Sequence, residues 1–284
     1  MSTSPTLQTA ERDAGAAARR AGVLVRQART MDDAHAVAAL LARIWGVPAE
    51  TPPLDPDLLR ALAHLGGYVG MAHDGDTLVA AGVGLFGAPG ERTLHSHIVG
   101  VAPEVQVRSI GSAVKLDQRA WALAAGVHTV TWTFDPLVRR NAYFNLAKLG
   151  ARGVSYLVDF YGDMDDGLNA GQGSDRLLVA WDVRRPLPAA VPAADAPAGP
   201  PAGQVMLDAD ADGAPVEHGP GPWTAPVLAV QVPDDVVALR RQDPDLARAW
   251  RAAVRRTMGA AVAAGYGVRG MTRSGWYRLE RPAE

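Results

Sequence analysis

An α/β fold with a mixed, mostly antiparallel sheet flanked by helices is predicted by three features of this sequence. Short β-type runs form hairpins at both ends of residues 23–184, the first around Asp74-Gly75-Asp76 and the last around a Gly/Asp-rich loop. Between them, residues 94–134 read as strand, tight polar turn, helix and strand, the order of a crossover connection. A strand-helix-strand pattern at 223–284 then extends the chain beyond a Pro/Ala-rich stretch.

In chain order, residues 1–22 are rich in Ser, Thr, Ala and Arg, lack apolar periodicity and read as a flexible tail. Residues 23–28 form a short strand. Thr30 then caps a helix with Asp33 three residues on, Val37, Leu40, Leu41 and Ile44 forming its stripe and Gly46 ending it. Asp55-Pro56 repeats the start signal, cap followed by proline, for a helix through His64. The first hairpin pairs 68–72 with 77–86.

A strand at 94–101 and a turn at 103–109 lead into a helix at 110–125, whose stripe is Ala113, Leu116, Ala120 and Leu123. Lys115, Gln118 and Arg119 occupy its other side. A strand at 127–134 and a helix ending at Gly150 follow, then strands at 155–161 and 176–183. Residues 185–222 read as linker, most strongly over 185–203. Beyond it come a strand at 227–232, a short helix from Asp234, a longer helix capped by Asp243-Pro244, and a strand at 276–279. The long helix has Leu246, Trp250, Val254, Met258 and Val262 on its stripe, which leaves Arg248, Arg251, Arg255 and Arg256 to a solvated face.

The 284 residues suffice for one large or two modest domains, and 48% hydrophobic with 20% charged residues is an ordinary globular composition. A net charge of −2 provides no basic field for nucleic acid or anionic membrane. Without cysteine there is no disulfide, no thiolate catalysis and no Cys-ligated metal. No apolar run approaches the ~18 residues of a spanning helix. The expectation is a cytoplasmic protein.

The turn Gln106-Val107-Arg108-Ser109-Ile110-Gly111 carries the sharpest functional signal. It lies between a strand and an amphipathic helix, where successive backbone N–H groups converge on a phosphate. Gly111 leaves room for a ligand at the helix start, or is simply a turn glycine. Arg108 and Lys115 add charge near phosphates or are exposed surface cations. His95 and His97, two apart on a strand, are expected to share a face with Val99 and Val101. Three uses compete for them: a metal site, which lacks a third ligand at helpful spacing; structural histidines; and, for His97, a general base. Glu104 is the rival base. Asp135 before Pro136 reads as a helix cap.

These motifs resemble the GCN5-related N-acetyltransferase (GNAT) superfamily, in a poorly characterised bacterial branch. Topology matches over 23–183, and the specific resemblance spans 94–150. The signature [Q/R]-x-x-G-x-[G/A] appears as Gln106 to Gly111, with Ser109 in place of the first glycine. Ile98-Val99-Gly100-Val101 matches the strand that pairs with the pantetheine arm, and Asn141 through Leu149-Gly150 matches the Asn-led second helix.

The resemblance implies acetyl-CoA or another acyl-CoA as co-substrate, no metal, and transfer to an amine of a small molecule, an amino acid or a protein. It assigns CoA contacts to Val99, Gly100, Val101, Gln106, Val107, Arg108, Ser109, Ile110, Gly111, Ser112 and Asn141. The family's usual thiolate-protonating tyrosine falls at Leu146, which leaves Tyr143 or Tyr161 as donors. Arg139 and Arg140 are candidates to clamp an acceptor carboxylate or the nucleotide 3′-phosphate. A binding protein without catalysis is the rival reading, and a homodimer built on the Arg-rich helix is compatible with either.

Overall fold

The computed structural model describes residues 4–88, 90–162, 173–189, 199–219 and 223–281. The chain divides into two units, Met1–Trp132 with Asp182–Arg185, and Thr133–Trp181 with Pro186–Glu284. The division therefore falls inside the segment expected as one domain at 23–184.

The first unit opens with α1 (Pro5–Ala21), capped by Ser4 and closed by Gly22 in the left-handed region. This corrects the expected tail. Ala10, Ala17 and Ala21 are buried, and α1 packs on α4 (Ile110–Ala124). A helix can dock through alanine alone, a stripe too weak in hydrophobicity to stand out in the sequence. β1 (Leu24–Gln27) follows, then α2 (Met31–Trp45), where Thr30 and Asp33 form the expected reciprocal cap. α3 (Pro56–His64) starts at Asp55-Pro56 as its signal requires.

β2 (Tyr68–Asp74), β3 (Thr77–Phe86), β4 (Thr93–Val101) and β5 (Thr129–Phe134) complete the sequence of strands. Their order is β1-β2-β3-β4-β5, antiparallel except for the parallel β4–β5 pair. Val69, Met71, Ala81 and Val83 pack with α2 and α3. The opposite face meets α4, where the Tyr68 hydroxyl donates to Val114 O at 3.2 Å and Asp117 Oδ2 at 2.9 Å.

The second unit contains α5 (Arg139–Ala142), which continues as a π-helical turn (Tyr143–Lys148), then β6 (Arg152–Leu157) and β7 (Arg176–Asp182). β8 (Gln204–Ala209) and β9 (Pro215–Glu217) lie inside the expected 185–222 linker, which is thus corrected over those residues. The second half of that stretch supplies Val205, Met206, Leu207 and Val216 to strands, and Met206 and Leu207 are fully buried. Residues 190–198 of that stretch, like residues 1–3, 89, 163–172, 220–222 and 282–284, lie outside the described residues.

β10 (Val227–Gln231), α6 (Val236–Gln242), α7 (Pro244–Val254), a π-helical turn (Arg255–Gly259), α8 (Ala260–Ala263), β11 (Gly267–Met271) and β12 (Trp276–Glu280) follow. β11 is an addition to the expected strand-helix-strand pattern. The strand order is β7-β6-β11-β12-β10-β8-β9, with β8–β10 its parallel pair. Arg251 is not on a solvated face. It is buried, donating to Asp135 Oδ1 at 3.0 Å and Oδ2 at 2.7 Å. Asp135 also accepts from Leu137 N at 3.0 Å, so its carboxylate serves the turn and the ion pair together. In both units the fold class is the one the sequence predicts: helices flanking a mixed, mostly antiparallel sheet.

Candidate functional site

The candidate residues of the first unit lie on β4, the turn after it and the start of α4. β4 pairs in parallel with β5 through Thr93↔Thr129, Leu94↔Val130 and His95↔Thr131. It then continues to Val101 beyond that ladder. On its other edge the register with β3 runs Val83↔Ile98 and then Gly84↔Ser96. His97 is thus the extra residue of a β-bulge.

The bulge changes which residues share a face. Ser96 accepts from α4, and a Cβ on Gly82 would meet Val114 of α4 and Val99 together, whereas Ile98 packs with the α2 cluster. Ser96 and Val99 lie three apart on one face, a parity that an unbroken strand forbids. The expected common face of His95 and His97 with Val99 and Val101 is therefore corrected. The two imidazole rings still lie 6.3 Å apart, and His95 Nδ1 is 3.1 Å from Thr131 Oγ1. Burial, then the charges of His97 and Lys115, hold the His95 imidazole below its ordinary pKa; partial desolvation does the same for His97. Both shifts favour the neutral ring near pH 7.

The turn after β4 is a 3-10 helix, Pro103–Arg108, that ends at Ser109 with φ 58° and ψ 25°. Ser109 thus adopts the left-handed conformation that glycine favours. α4 then begins without a side-chain cap, and Ser112 N donates to Ser109 O at 3.0 Å. A Cβ on Gly111 would meet only Val101 Cγ2 at 3.6 Å, so the helix start is sterically open. Uncapped amides, the helix dipole and this open surface fit a phosphate group. Ile110 is buried, and the Val107 side chain lies outside the described set.

Several candidates have other partners. Arg108 pairs with Asp74 and donates to Ala21 O at 2.9 Å and Gly22 O at 3.2 Å, tying the turn to the end of α1. Its guanidinium is not a free surface cation. Gln106 Nε2 lies 3.5 Å from Val101 O. A Cβ on Gly100 would approach Trp45 Cζ3 to 2.8 Å and Ile44 Cδ1 to 2.9 Å, so packing against α2 accounts for that glycine. Glu104 pairs with Arg43 at 2.6 Å. Its own backbone amide and then Arg43 hold its carboxyl below the usual range, which makes it a weak base.

Lys115 is the main residue that sequence reading misplaced. It is neither exposed nor beside the turn but buried, because α1 and the sheet enclose α4 from both sides. Gln118 and Arg119 are buried with it. Lys115 Nζ donates to Ser96 Oγ at 2.8 Å, lies 3.4 Å from Gln118 Oε1, and stands 3.9 Å from the centroid of the Trp132 ring. Burial lowers its pKa from 10.5 to about 7. In the sequence it stands with Gln118 and Arg119 off the apolar stripe, so nothing there marks it as interior.

Asn141 and Tyr143 belong to the second unit. Asn141 is exposed, while the Tyr143 hydroxyl accepts from Arg273 Nε at 3.0 Å. Arg139 pairs with Asp234 and donates to Arg273 O, so it is held within its own unit. Tyr161 places its hydroxyl 3.3 Å from Thr133 Oγ1, beneath the Arg176 guanidinium. Leu146, where the resemblance places a tyrosine, is buried. No group of three or more His, Asp or Glu side chains arranged for a metal occurs among the described residues. None of the helices described is long and apolar enough to cross a membrane.

No protein-family model and no curated protein sequence matches this chain. Among solved structures, it is similar to acetyltransferases. The ribosomal-protein-S18-alanine N-acetyltransferase of Escherichia coli matches at 12% identity and TM-score 0.47, covering 58% of this chain and 96% of its own. A GNAT-family acetyltransferase from Streptococcus pneumoniae matches at 13% identity and TM-score 0.45, covering 59% and 99%. The diaminobutyrate acetyltransferase of Paenibacillus lautus, solved with its substrate and coenzyme A, matches at 15% identity and TM-score 0.44, covering 57% and 95%.

Proposed function

We propose that this protein is an acyl-CoA-dependent N-acyltransferase of the cytoplasm, acting on a primary amine of a small molecule or a protein. One observation carries the reading. β4 leaves its ladder with β5 after His95 and runs directly into a turn whose left-handed Ser109 opens an uncapped helix start. A strand edge that can pair with an extended amide-bearing arm therefore ends at a site suited to phosphate, which are the two chemistries of CoA. When bound, acyl-CoA supplies an activated thioester.

In this reading Ile110 and Gly111 offer backbone N–H groups to the pyrophosphate, and Val99 to Val101 offer the strand edge. His97, neutral near pH 7, takes a proton from the acceptor ammonium. Glu104 is the poorer choice because Arg43 already neutralises it. Binding of acyl-CoA without catalysis is the second reading, favoured by the apolar, buried Leu146.

CoA in excess tests the binding step without an acceptor. At 100 times its dissociation constant, a ligand specific for the native state stabilises by about 2.7 kcal/mol. A rise of several degrees in Tm is expected. Thiol release from acetyl-CoA with an amine panel then separates catalysis from binding. An unchanged melting curve at millimolar CoA overturns both readings.

A further inference from the structure

Lys115 stands at a particular point in the first unit. The β4–β5 ladder ends at His95↔Thr131, and the next residues along the two strands are Ser96 and Trp132. Lys115 Nζ touches both, at 2.8 Å from Ser96 Oγ and 3.9 Å from the Trp132 ring centroid. The amine therefore sits in the fork where the strands cease to pair. It forms no ion pair among the described residues, and its neighbours are a hydroxyl, an amide and an aromatic face.

Gln118 reinforces this arrangement. It turns Oε1 toward Lys115 and leaves its own Nε2 buried with no partner. An orphaned buried donor is costly, and the opposite amide orientation would set N–H against the amine. The surroundings thus accept a cation without neutralising it. Of the other charged groups, Asp117 bonds Tyr68 and Arg119 bonds Asp13 of α1, while His95, which approaches Thr131, lies near enough for the Lys115 charge to disfavour its protonation.

We propose that Lys115 is the proton donor to the departing thiolate, a role that rests on the acyl-CoA reading above. As the acceptor nitrogen bonds to the acyl carbon, the carbon–sulfur bond breaks and its electron pair goes to sulfur. The Lys115 ammonium gives its proton to that sulfur and becomes a neutral amine, which solvent protonates again. A donor with pKa about 7 is matched to this task near neutrality. Burial strengthens the attraction between the ammonium and the forming thiolate.

Free CoA is the probe. Protein saturated with CoA is titrated while the ultraviolet absorbance of the thiolate is followed. The buried ammonium and the thiolate stabilise each other, so the pair is expected to lose its first proton from sulfur, at or below the Lys115 value of about 7 and more than tenfold below free CoA. Lys115→Met should return the thiol toward the free value, whereas Lys115→Arg, which keeps the charge, should not. An unshifted thiol in the wild type, or an equal shift in Lys115→Met, overturns the proposal. CoA binding is read separately by melting temperature: no binding sinks the acyl-CoA reading itself, and binding with an unshifted thiol sinks only this role. Should Lys115→Met not fold, NMR of isotopically labelled lysine in the wild type replaces it. Lys115 should then titrate at higher pH with CoA than with CoA lacking its sulfur, and identical titrations overturn the role.

Discussion

Ser109 holds a backbone conformation that costs an L-residue about 1–2 kcal/mol. Glycine would remove that cost but lose ~0.5–1 kcal/mol in chain entropy. Ser109→Gly is therefore expected to leave Tm unchanged or raise it by a few degrees, with CoA affinity preserved; a marked fall would mean that the hydroxyl stabilises the turn after all. Gly111→Glu makes the opposite test at the next turn of backbone. Its Cβ has room and an acidic residue suits a helix start, so the fold should persist. The added charge should repel a pyrophosphate and weaken CoA by tenfold or more, about 1.4 kcal/mol. Calorimetric titration of both variants reads the pair, and undiminished affinity in folded Gly111→Glu removes this turn from the site. The spacing of Gln106 to Gly111 between a strand and an amphipathic helix makes the turn legible in the sequence. The left-handed Ser109 and the bulge at His97 are not, because both are set by backbone pairing with no side-chain pattern to announce them.

At the scale of elements, capping chemistry was readable where a local cap leads into an apolar stripe, which does not follow Ser4 at the start of α1. Thr30 with Asp33, Asp55-Pro56 and Asp243-Pro244 each mark a helix start within a residue, because the side chain bonds an amide of its own first turn. α1 was illegible for the opposite reason: its stability comes from docking small alanines on α4. That docking also inverts the reading of α4, whose polar side becomes interior. Arg119 shows the consequence. It is 1% exposed and donates to Val183 O, Arg185 O and Asp13, each at 2.9 Å. Arg119→Met should leave these acceptors unpaired and destabilise by about 2–4 kcal/mol. Chemical denaturation measures it, and a loss under about 0.5 kcal/mol would show that water replaces the guanidinium without cost.

At the scale of the whole molecule, the shifted groups combine into a pH profile. Asp33 is held below the usual carboxyl range by Arg26; burial raises Asp135 and Asp175, but Arg251 and Arg255 outweigh it. Their stabilisation is complete above about pH 4, the unfolded value, and is lost as pH falls through their depressed values. Asp117, raised by burial, acts in the next range up, where stability is lost as pH rises from about 4 through its folded value. His73, His95 and His97 are lowered by burial, so stability climbs as pH rises toward their unfolded value of about 6.5. Lys115 extends the climb. Its folded value of about 7 lies below its unfolded 10.5, so between them the unfolded chain binds the extra proton and rising pH favours the fold. Tyr68 and Tyr277 are raised by burial, which reverses the slope once the unfolded phenols ionise above about pH 10. Tm should therefore peak between about pH 8 and 10, alkaline of the ordinary optimum near 5–8. Lys115→Met should flatten the rise above pH 7 and leave the acid limb unchanged. Parallel profiles for the two proteins would mean that Lys115 remains charged in the fold, and the buried neutral amine would have to be abandoned.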